Sequence, residues 1–473
     1  MIEYAVVGSG IGGASIAAYL DAKGYDTVLF EKEPYLGGCS STFRHKGFSY
    51  NTGATTLAGY ENGQIVKEMF DAIGFVPDVT PTDPAIVIID AEKSVPRYRD
   101  LDLFLEALEK HYPHPKNREF WTLVHTIGKE FYAMQGHYYT NKNLVSKAVS
   151  LLSYLPLLLK FQRHLRTNAY DFIHTFYKEI SPEYQRFLEA QIMIVSQAHS
   201  KEINFFTAAL SLGYTFNETH YAFGGLGRIF EDMTAKMKDV RLNSEITKIN
   251  QHKGYFTLYT KDETIETKRL ILNSTVYDSQ ELFEEKPVKQ YYKKYEHLQN
   301  YQSSFMLYMT IKSDADFAHH YQIIQENNHP FTLSNALFVS FSDKDDEIIC
   351  PKGHYSVTAS IHTDSRWWND KETYSRQKDE LKRLLLEVIC DTLQIKDTHI
   401  VDVFAATPKT FKRYIKRSQL GGNPITMKNF LPKLPGNDTP VADLYHVGDS
   451  VYAAQGWPGV MLGVANLRKL LHV

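Results

Sequence analysis

The chain has 473 residues, 43% hydrophobic and 23% charged, which excludes a disordered chain, a fibrous repeat and a disulfide-stapled miniprotein and leaves core material for about two interleaved domains. Lysine and arginine total 52 against 55 aspartates and glutamates, a net charge of −3 that provides no global positive field for nucleic acid. The three cysteines, Cys39, Cys350 and Cys390, are too scattered for a disulfide framework or a CxxC site, so a reducing cytoplasm is the expected setting.

Ile2 to Val7 is a short apolar run that leads into Gly8-Ser9-Gly10-Ile11-Gly12-Gly13. Ala14 to Lys23 then carries Ile16, Ala17 and Leu20 at helical spacing, and Thr27 to Phe30 is a second strand ending at Glu31. The chain thus begins on a βαβ unit, with no basic or cleavable leader expected ahead of it. Gly8 permits the tight turn, Gly10 lets a diphosphate approach the backbone, and Gly13 lets the helix pack closely on the sheet. The helix N-terminus adds amide donors and partial positive charge for phosphate. A glycine-rich turn here can be merely structural; the flanking strand and helix, and Glu31 at the next strand end, point instead to a dinucleotide. The Glu31 carboxylate accepts from ribose hydroxyls and repels a 2′-phosphate, favouring FAD or NAD over NADP, with Lys32 beside it. Gly37-Gly38, followed by Cys39 and Ser40, can lie against the diphosphate or flavin, or form a tight surface turn.

From Ser94 to about Gly213 apolar residues recur at three and four spacing, which reads as a helical cap. Within it Leu151 to Phe161, LLSYLPLLLKF, is about half the length needed to span a bilayer, and it reads either as an apolar entrance element or as a buried helix. Strands are expected at Pro84 to Asp90, Arg241 to Ile249 (after a helix from Leu226 to Met237), Gly254 to Tyr259, Arg269 to Leu272, Ser304 to Thr310 and Tyr355 to Ile361. The Pro-rich stretch Leu431 to Val441 crosses the surface. Leu444 to Asp449 then forms a strand with Gly448 and Asp449 at its end, and Gly459 to Leu471 a final helix whose Gly459 and Val460 would face a flavin ring. The expected fold is α/β: a discontinuous Rossmann-like FAD-binding domain (1–80, 221–280, 431–473) with a mixed-sheet substrate domain and helical cap (81–220, 281–430).

GSGIGG with Glu31, then GGCSSTFRHKGFSYNTGATTLAGYE, resembles the FAD-binding start of the phytoene desaturase and carotenoid isomerase family, which also includes retinol saturases. YAFGGLGRIFEDM, HTDSRWW at 362–368, ATPKTFKRYIKR at 406–417 and LYHVGDSVYAAQGWPGVMLGV extend the resemblance over nearly the whole chain, nearest the cyanobacterial-type desaturase and isomerase branch. The resemblance implies FAD as cofactor: Gly8, Gly10 and Gly13 at the diphosphate, Glu31 at the adenosine ribose, Gly37, Gly38 and Ser40 beside the diphosphate and flavin. It also implies Ile246, on the strand after Asn243, pairing its backbone with adenine, Gly448 and Asp449 at the diphosphate and ribityl chain, and Gly459 and Val460 at the ring. Tyr50-Asn51 departs from a common Phe-Asp pattern, and Cys39 stands where many desaturases have Arg and isomerase-like members Ser, leaving the reaction type open. The implied substrate is an apolar isoprenoid or polyene reached by peripheral contact with the inner membrane face, and the electron acceptor is left open.

No Ser-His-Asp, paired-carboxylate or metal cluster is readable, and no catalytic side chain is assigned. His362 with Asp364 reads as a local polar edge, and His220 with Tyr221 as possible cavity lining. Two other functions compete: a flavin amine oxidase, with Tyr445 and Trp457 as loose candidates for an aromatic cage, and a non-enzymatic FAD-binding protein.

Overall fold

The computed structural model describes residues 1–132, 139–140, 143–417, 419–429, 433–452 and 456–473; part of the C-terminal glycine-bearing loop and Leu431 and Pro432 of the Pro-rich stretch lie outside the described residues, and 434–439 of that stretch are buried rather than at the surface as expected. Thr27–Phe30 is buried throughout and Ile2–Val7 along its middle, the continuous apolar pattern of strands covered on both faces. They pair in parallel. Val240–Arg241 extends the sheet beyond Thr27–Phe30, and Thr264–Leu272 followed by Leu444–His446 extends it on the other side. Arg241, Phe30, Val7, Leu272 and His446 stand level across this sheet, so five parallel strands end on one line.

The first half of Thr264–Leu272 pairs antiparallel with Tyr255–Tyr259, which in turn pairs with Lys248–His252. Arg241 to Ile249 is therefore not one strand, as its sequence suggests, but the ends of two strands at opposite edges of the sheet. Asn243 sits between them at φ +52°, a conformation its short polar side chain tolerates, and the amides of Asn243 and Ser244 bond the carbonyls of Glu33 and Glu31. Helices Ile11–Ala22, Ile65–Ile73, Leu226–Thr234 and Gly456–Leu471 cover one face of the sheet; the antiparallel strands and Lys286–Lys293 cover the other.

A second, seven-stranded sheet runs in the order 400–406, 302–312, 354–364, 336–341, 320–324, 87–90, 93–96, mixed as expected because His320–Ile324 and Val87–Asp90 pair in parallel. Helix Tyr374–Leu393 buries Leu381, Leu385 and Ile389 against it. The cap begins later than Ser94, which lies in strand Lys93–Pro96. Its helices, from Leu101–Glu109 to Phe205–Gly213, enclose a core rich in aromatics such as Phe104, Trp121, Phe187 and Phe205. Side chains of Asp100, Asn143, Asn168, Ser181 and Asn204 accept first-turn amides and so set where five of these helices begin.

LLSYLPLLLKF falls across two helices, Leu144–Ser153 and Leu155–Arg166, bent by 73° at Tyr154. The buried-helix reading holds in part: Leu157 and Phe161 are buried, whereas Leu158 is 42% and Leu159 60% exposed. No single helix among the described residues is long and apolar enough to cross a membrane.

Candidate dinucleotide-binding site

The level edge of the parallel sheet gathers the residues that the sequence scatters. Gly8 follows strand Ile2–Val7, Glu31 follows Thr27–Phe30, Asn273 follows Thr264–Leu272 and Val447-Gly448 follows Leu444–His446, which places the crevice at the carboxyl ends of the strands, where open α/β sheets bind ligands. Gly8 lies at φ +95°, and a Cβ on Gly13 would come within 1.9 Å of the Gly8 carbonyl oxygen, so the turn and the helix can approach only without a side chain. A Cβ on Gly12 would stand 2.9 Å from the Gly448 amide nitrogen, which locks the C-terminal loop against the first helix.

Ser9 ties the second strand to the second glycine pair. Its amide and hydroxyl both donate to Glu31 Oε2, at 3.0 and 2.6 Å, and its carbonyl and Oγ both accept from the Gly37 amide at 3.1 Å. Glu31 Oε1 accepts from the Glu33 amide at 3.0 Å, so this buried carboxylate is fixed in orientation at the strand end. Gly10 and Gly37 form a parallel bridge, and the Cβ position of Gly38 lies 3.6 Å from Gly10 Cα. Gly8, Ser9, Gly10, Gly12, Gly13, Glu31, Gly37, Gly38 and Gly448 thus form one cluster around the N-terminus of Ile11–Ala22. Ser40, buried, closes a short turn by donating its amide to the Gly37 carbonyl at 3.0 Å.

The remaining candidates sit differently. Lys32 donates from its ammonium to Glu33 Oε1 at 2.6 Å. Ile246 is in the loop before Lys248–His252 and not on the strand, because the turn at Asn243 delays pairing until Lys248; its amide and carbonyl bond no other described residue. Asp449 accepts from Arg417 Nη2 at 2.6 Å. Gly459 and Val460 are buried in the first turns of the last helix, and Trp457 beside them stacks on Phe230 at 5.3 Å. Tyr445 lies on strand Leu444–His446 in register with Ile271, and the ring contacts of Trp457 among the described residues are with Phe70 and Phe230 rather than Tyr445.

Asn273 was missed as a site residue, although a polar residue closing an apolar parallel strand is a signal the sequence does carry. Its side chain lies under Gly8, Gly10, Gly12, Gly13 and Gly448, and its Oδ1 is buried without a hydrogen-bond partner among the described residues. Five side-chain-free positions gathered at a helix N-terminus, with the unpaired backbone of Ile246 nearby, together fit a dinucleotide. Asn51, at the position that departs from the family pattern, accepts from the Leu226 amide at 2.9 Å and so caps the helix of the GGLG segment. That helix end is therefore closed by the protein itself.

His362 and Asp364 form no catalytic pair: Asp364 accepts from the Arg366 amide and Nε at 2.8 and 2.9 Å, and burial holds the His362 imidazole down to about 4. Tyr221 donates to Asp346 at 2.6 Å and, with His319, Thr55 and Ser340, lines a polar cavity of about 10 Å³, room for roughly a single water. The second sheet meets the groove through this region. Tyr308 donates to the Thr52 carbonyl at 2.5 Å and Thr55 bonds Ser340 at 2.8 Å, while the Ala54 amide reaches the Cys39 carbonyl at 3.2 Å.

Fold and groove together define a dinucleotide-binding Rossmann-like protein, and the NAD(P)-binding Rossmann-like domain family matches residues 6–73. The chain is 26% identical to prolycopene isomerase 2, chloroplastic, of an Oncidium hybrid cultivar, covering 95% of this chain and 80% of that protein. It is 23% identical to a 4,4′-diapophytoene desaturase (4,4′-diaponeurosporene-forming) of Staphylococcus haemolyticus strain JCSC1435, over 97% and 96%. Among solved structures, an oxidoreductase from Methanosarcina mazei superposes with a TM-score of 0.65 at 17% identity over 99% and 100% of the two chains. Cyclohexylamine oxidase from Brevibacterium oxydans IH-35A does so with 0.62 at 13% identity over the full length of both. The fold is thus related to the branch of flavoenzymes that holds phytoene desaturases, carotenoid isomerases and amine oxidases. The cyanobacterial-type branch is not singled out.

Proposed function

We propose that the chain is an FAD-dependent oxidoreductase acting on a long apolar polyene, with cis–trans isomerisation as the first reading and carotenoid desaturation as the second. The observation that carries it is the groove at the level sheet edge, in a chain of which 95% aligns with proteins named prolycopene isomerases. The desaturase reading draws on the staphylococcal relative, and within either reading the motifs resemble the cyanobacterial-type branch.

FAD, when bound, supplies the electron chemistry. The amides at the start of Ile11–Ala22 hold the diphosphate, Glu31 takes the adenosine ribose and excludes a 2′-phosphate, and the Ile246 backbone meets adenine. Gly37, Gly38 and Ser40 lie along the diphosphate, Gly448 and Asp449 along the ribityl chain, and Gly459 and Val460 near the ring.

The bent helix pair exposes Leu144, Val149, Leu152, Leu155, Leu158 and Leu159 next to Arg163 and Arg166. An apolar patch edged by cations suits docking on an anionic lipid surface, the source of such a substrate, and the reading is completed by a cytoplasmic enzyme peripheral on the inner membrane face.

The test is anaerobic incubation of the FAD-loaded protein with acyclic carotenoids, their cis isomers and retinol. A product of unchanged mass and altered geometry supports isomerisation, and loss of two hydrogens with flavin reduction supports desaturation. Flavin reduction by a small amine with no change in any polyene overturns the reading in favour of an amine oxidase.

A further inference from the structure

We propose that Arg417 is a binding residue for the diphosphate of the dinucleotide, closing the groove opposite the glycine turn; this rests on the dinucleotide reading above. The segment ATPKTFKRYIKR ends at Arg417, just beyond helix Pro408–Ile415 and its left-handed cap at Lys416. The guanidinium donates from Nη2 to Asp449 Oδ1 at 2.6 Å and from Nη1 to Cys39 Sγ at 3.8 Å. Its Nε is buried with no partner among the described residues.

These two contacts locate it. Cys39 follows Gly38, which abuts Gly10, and Asp449 follows Gly448, which abuts Gly12. The two loops that pack against the helix N-terminus are therefore joined by one guanidinium. Gly422, at φ +82°, makes the approach of this segment possible: a Cβ there would fall 2.3 Å from the Asp449 carbonyl oxygen. The neighbouring cations face elsewhere, Lys416 to Glu245 and Arg413 over the Tyr414 ring.

Backbone amides contribute dipoles but no full charge to a diphosphate, whereas a planar guanidinium offers a charged fork matched to phosphate oxygens. Without an anion in the groove, Asp449 holds that fork in place. With a diphosphate at the helix N-terminus, the Nε–H and the outer Nη–H groups have an acceptor.

The experiment titrates apo wild type, Arg417→Ala and Arg417→Lys with FAD by quenching of flavin fluorescence, and then displaces the FAD with ADP or adenosine. In Arg417→Ala the Kd for FAD and for ADP is expected to rise together by about tenfold or more, with adenosine unchanged, and Arg417→Lys to fall between. A smaller rise, or an equal loss for adenosine, overturns the inference. If Arg417→Ala does not fold, Arg417→Lys carries the test, since a lysine equal to wild type for both FAD and ADP also overturns the forked contact. Wild type that binds NADH but not FAD defeats the flavin reading instead, and the same Arg417 comparison on NADH then decides the inference.

Discussion

Five glycines converge on one asparagine side chain at the end of strand Thr264–Leu272, but they do not tolerate change equally. A Cβ on Gly13 meets a backbone carbonyl at 1.9 Å, which has nowhere to go, whereas a Cβ on Gly10 meets only the Asn273 Nδ2 at 2.6 Å, the end of a flexible side chain. Gly13→Ala should therefore abolish soluble folded protein. Gly10→Val should keep the melting temperature within about 5 °C of wild type while losing FAD on desalting, because the displaced amide and the new methyls occupy the diphosphate's approach. Thermal melts paired with flavin absorbance separate the two, and a Gly10→Val protein that keeps its flavin would contradict the assignment of that turn. At this scale the sequence was legible where function is local: Gly8 to Gly13 and Glu31 are one βαβ unit apart. Arg417 was not, since nothing near it in sequence says that a residue after a surface helix returns to the groove.

At the scale of elements, the cap helices are started by side chains whose removal has a known cost. Ser181 Oγ accepts from the Tyr184 amide at 3.1 Å with Pro182 in the first turn, so Ser181→Ala should lower stability by about 1 kcal/mol in urea unfolding without moving cofactor affinity. The bent helix pair makes a sharper prediction. Leu158→Asp with Leu159→Asp should leave the melt unchanged and reduce co-sedimentation with anionic liposomes, because both side chains face outward. Leu157→Asp should destabilise the cap itself, since that residue is buried. Sedimentation unaffected by the outward pair would remove the lipid-docking reading. Periodicity revealed these helices but not their bend, and it merged Arg241 to Ile249 into one strand because the φ at Asn243 leaves no mark in an apolar pattern.

At the scale of the molecule, burial keeps several histidines neutral. It holds His319 and His362 down to about 4 and His446 to about 3, against an ordinary value near 6.5. Between about pH 6.5 and 4 the unfolded chain binds these protons and the folded chain does not. Stability present above pH 6.5 is therefore lost as pH falls, on the order of 3 kcal/mol for each histidine. The urea midpoint should drop between pH 7.5 and pH 5, and His362→Asn should flatten that dependence; equal midpoints at both pH values would show that these rings are not held neutral. The discontinuous α/β plan was legible because each return to the first sheet is an apolar strand followed by a polar or glycine-bearing turn, as in RLILN and LYHVGD. The contacts between the second sheet and the groove, through Tyr308, Thr52, Thr55 and Ser340, join residues more than 250 positions apart, and no local pattern encodes them.

That the level sheet edge holds FAD is tested most directly by denaturing the purified chain and identifying the nucleotide released, by absorbance and mass. Stoichiometric, non-covalent FAD from wild type and none from Gly10→Val is the expected result. A chain that releases no flavin and binds NADP but not FAD would contradict it, since Glu31 at the second strand end should repel a 2′-phosphate.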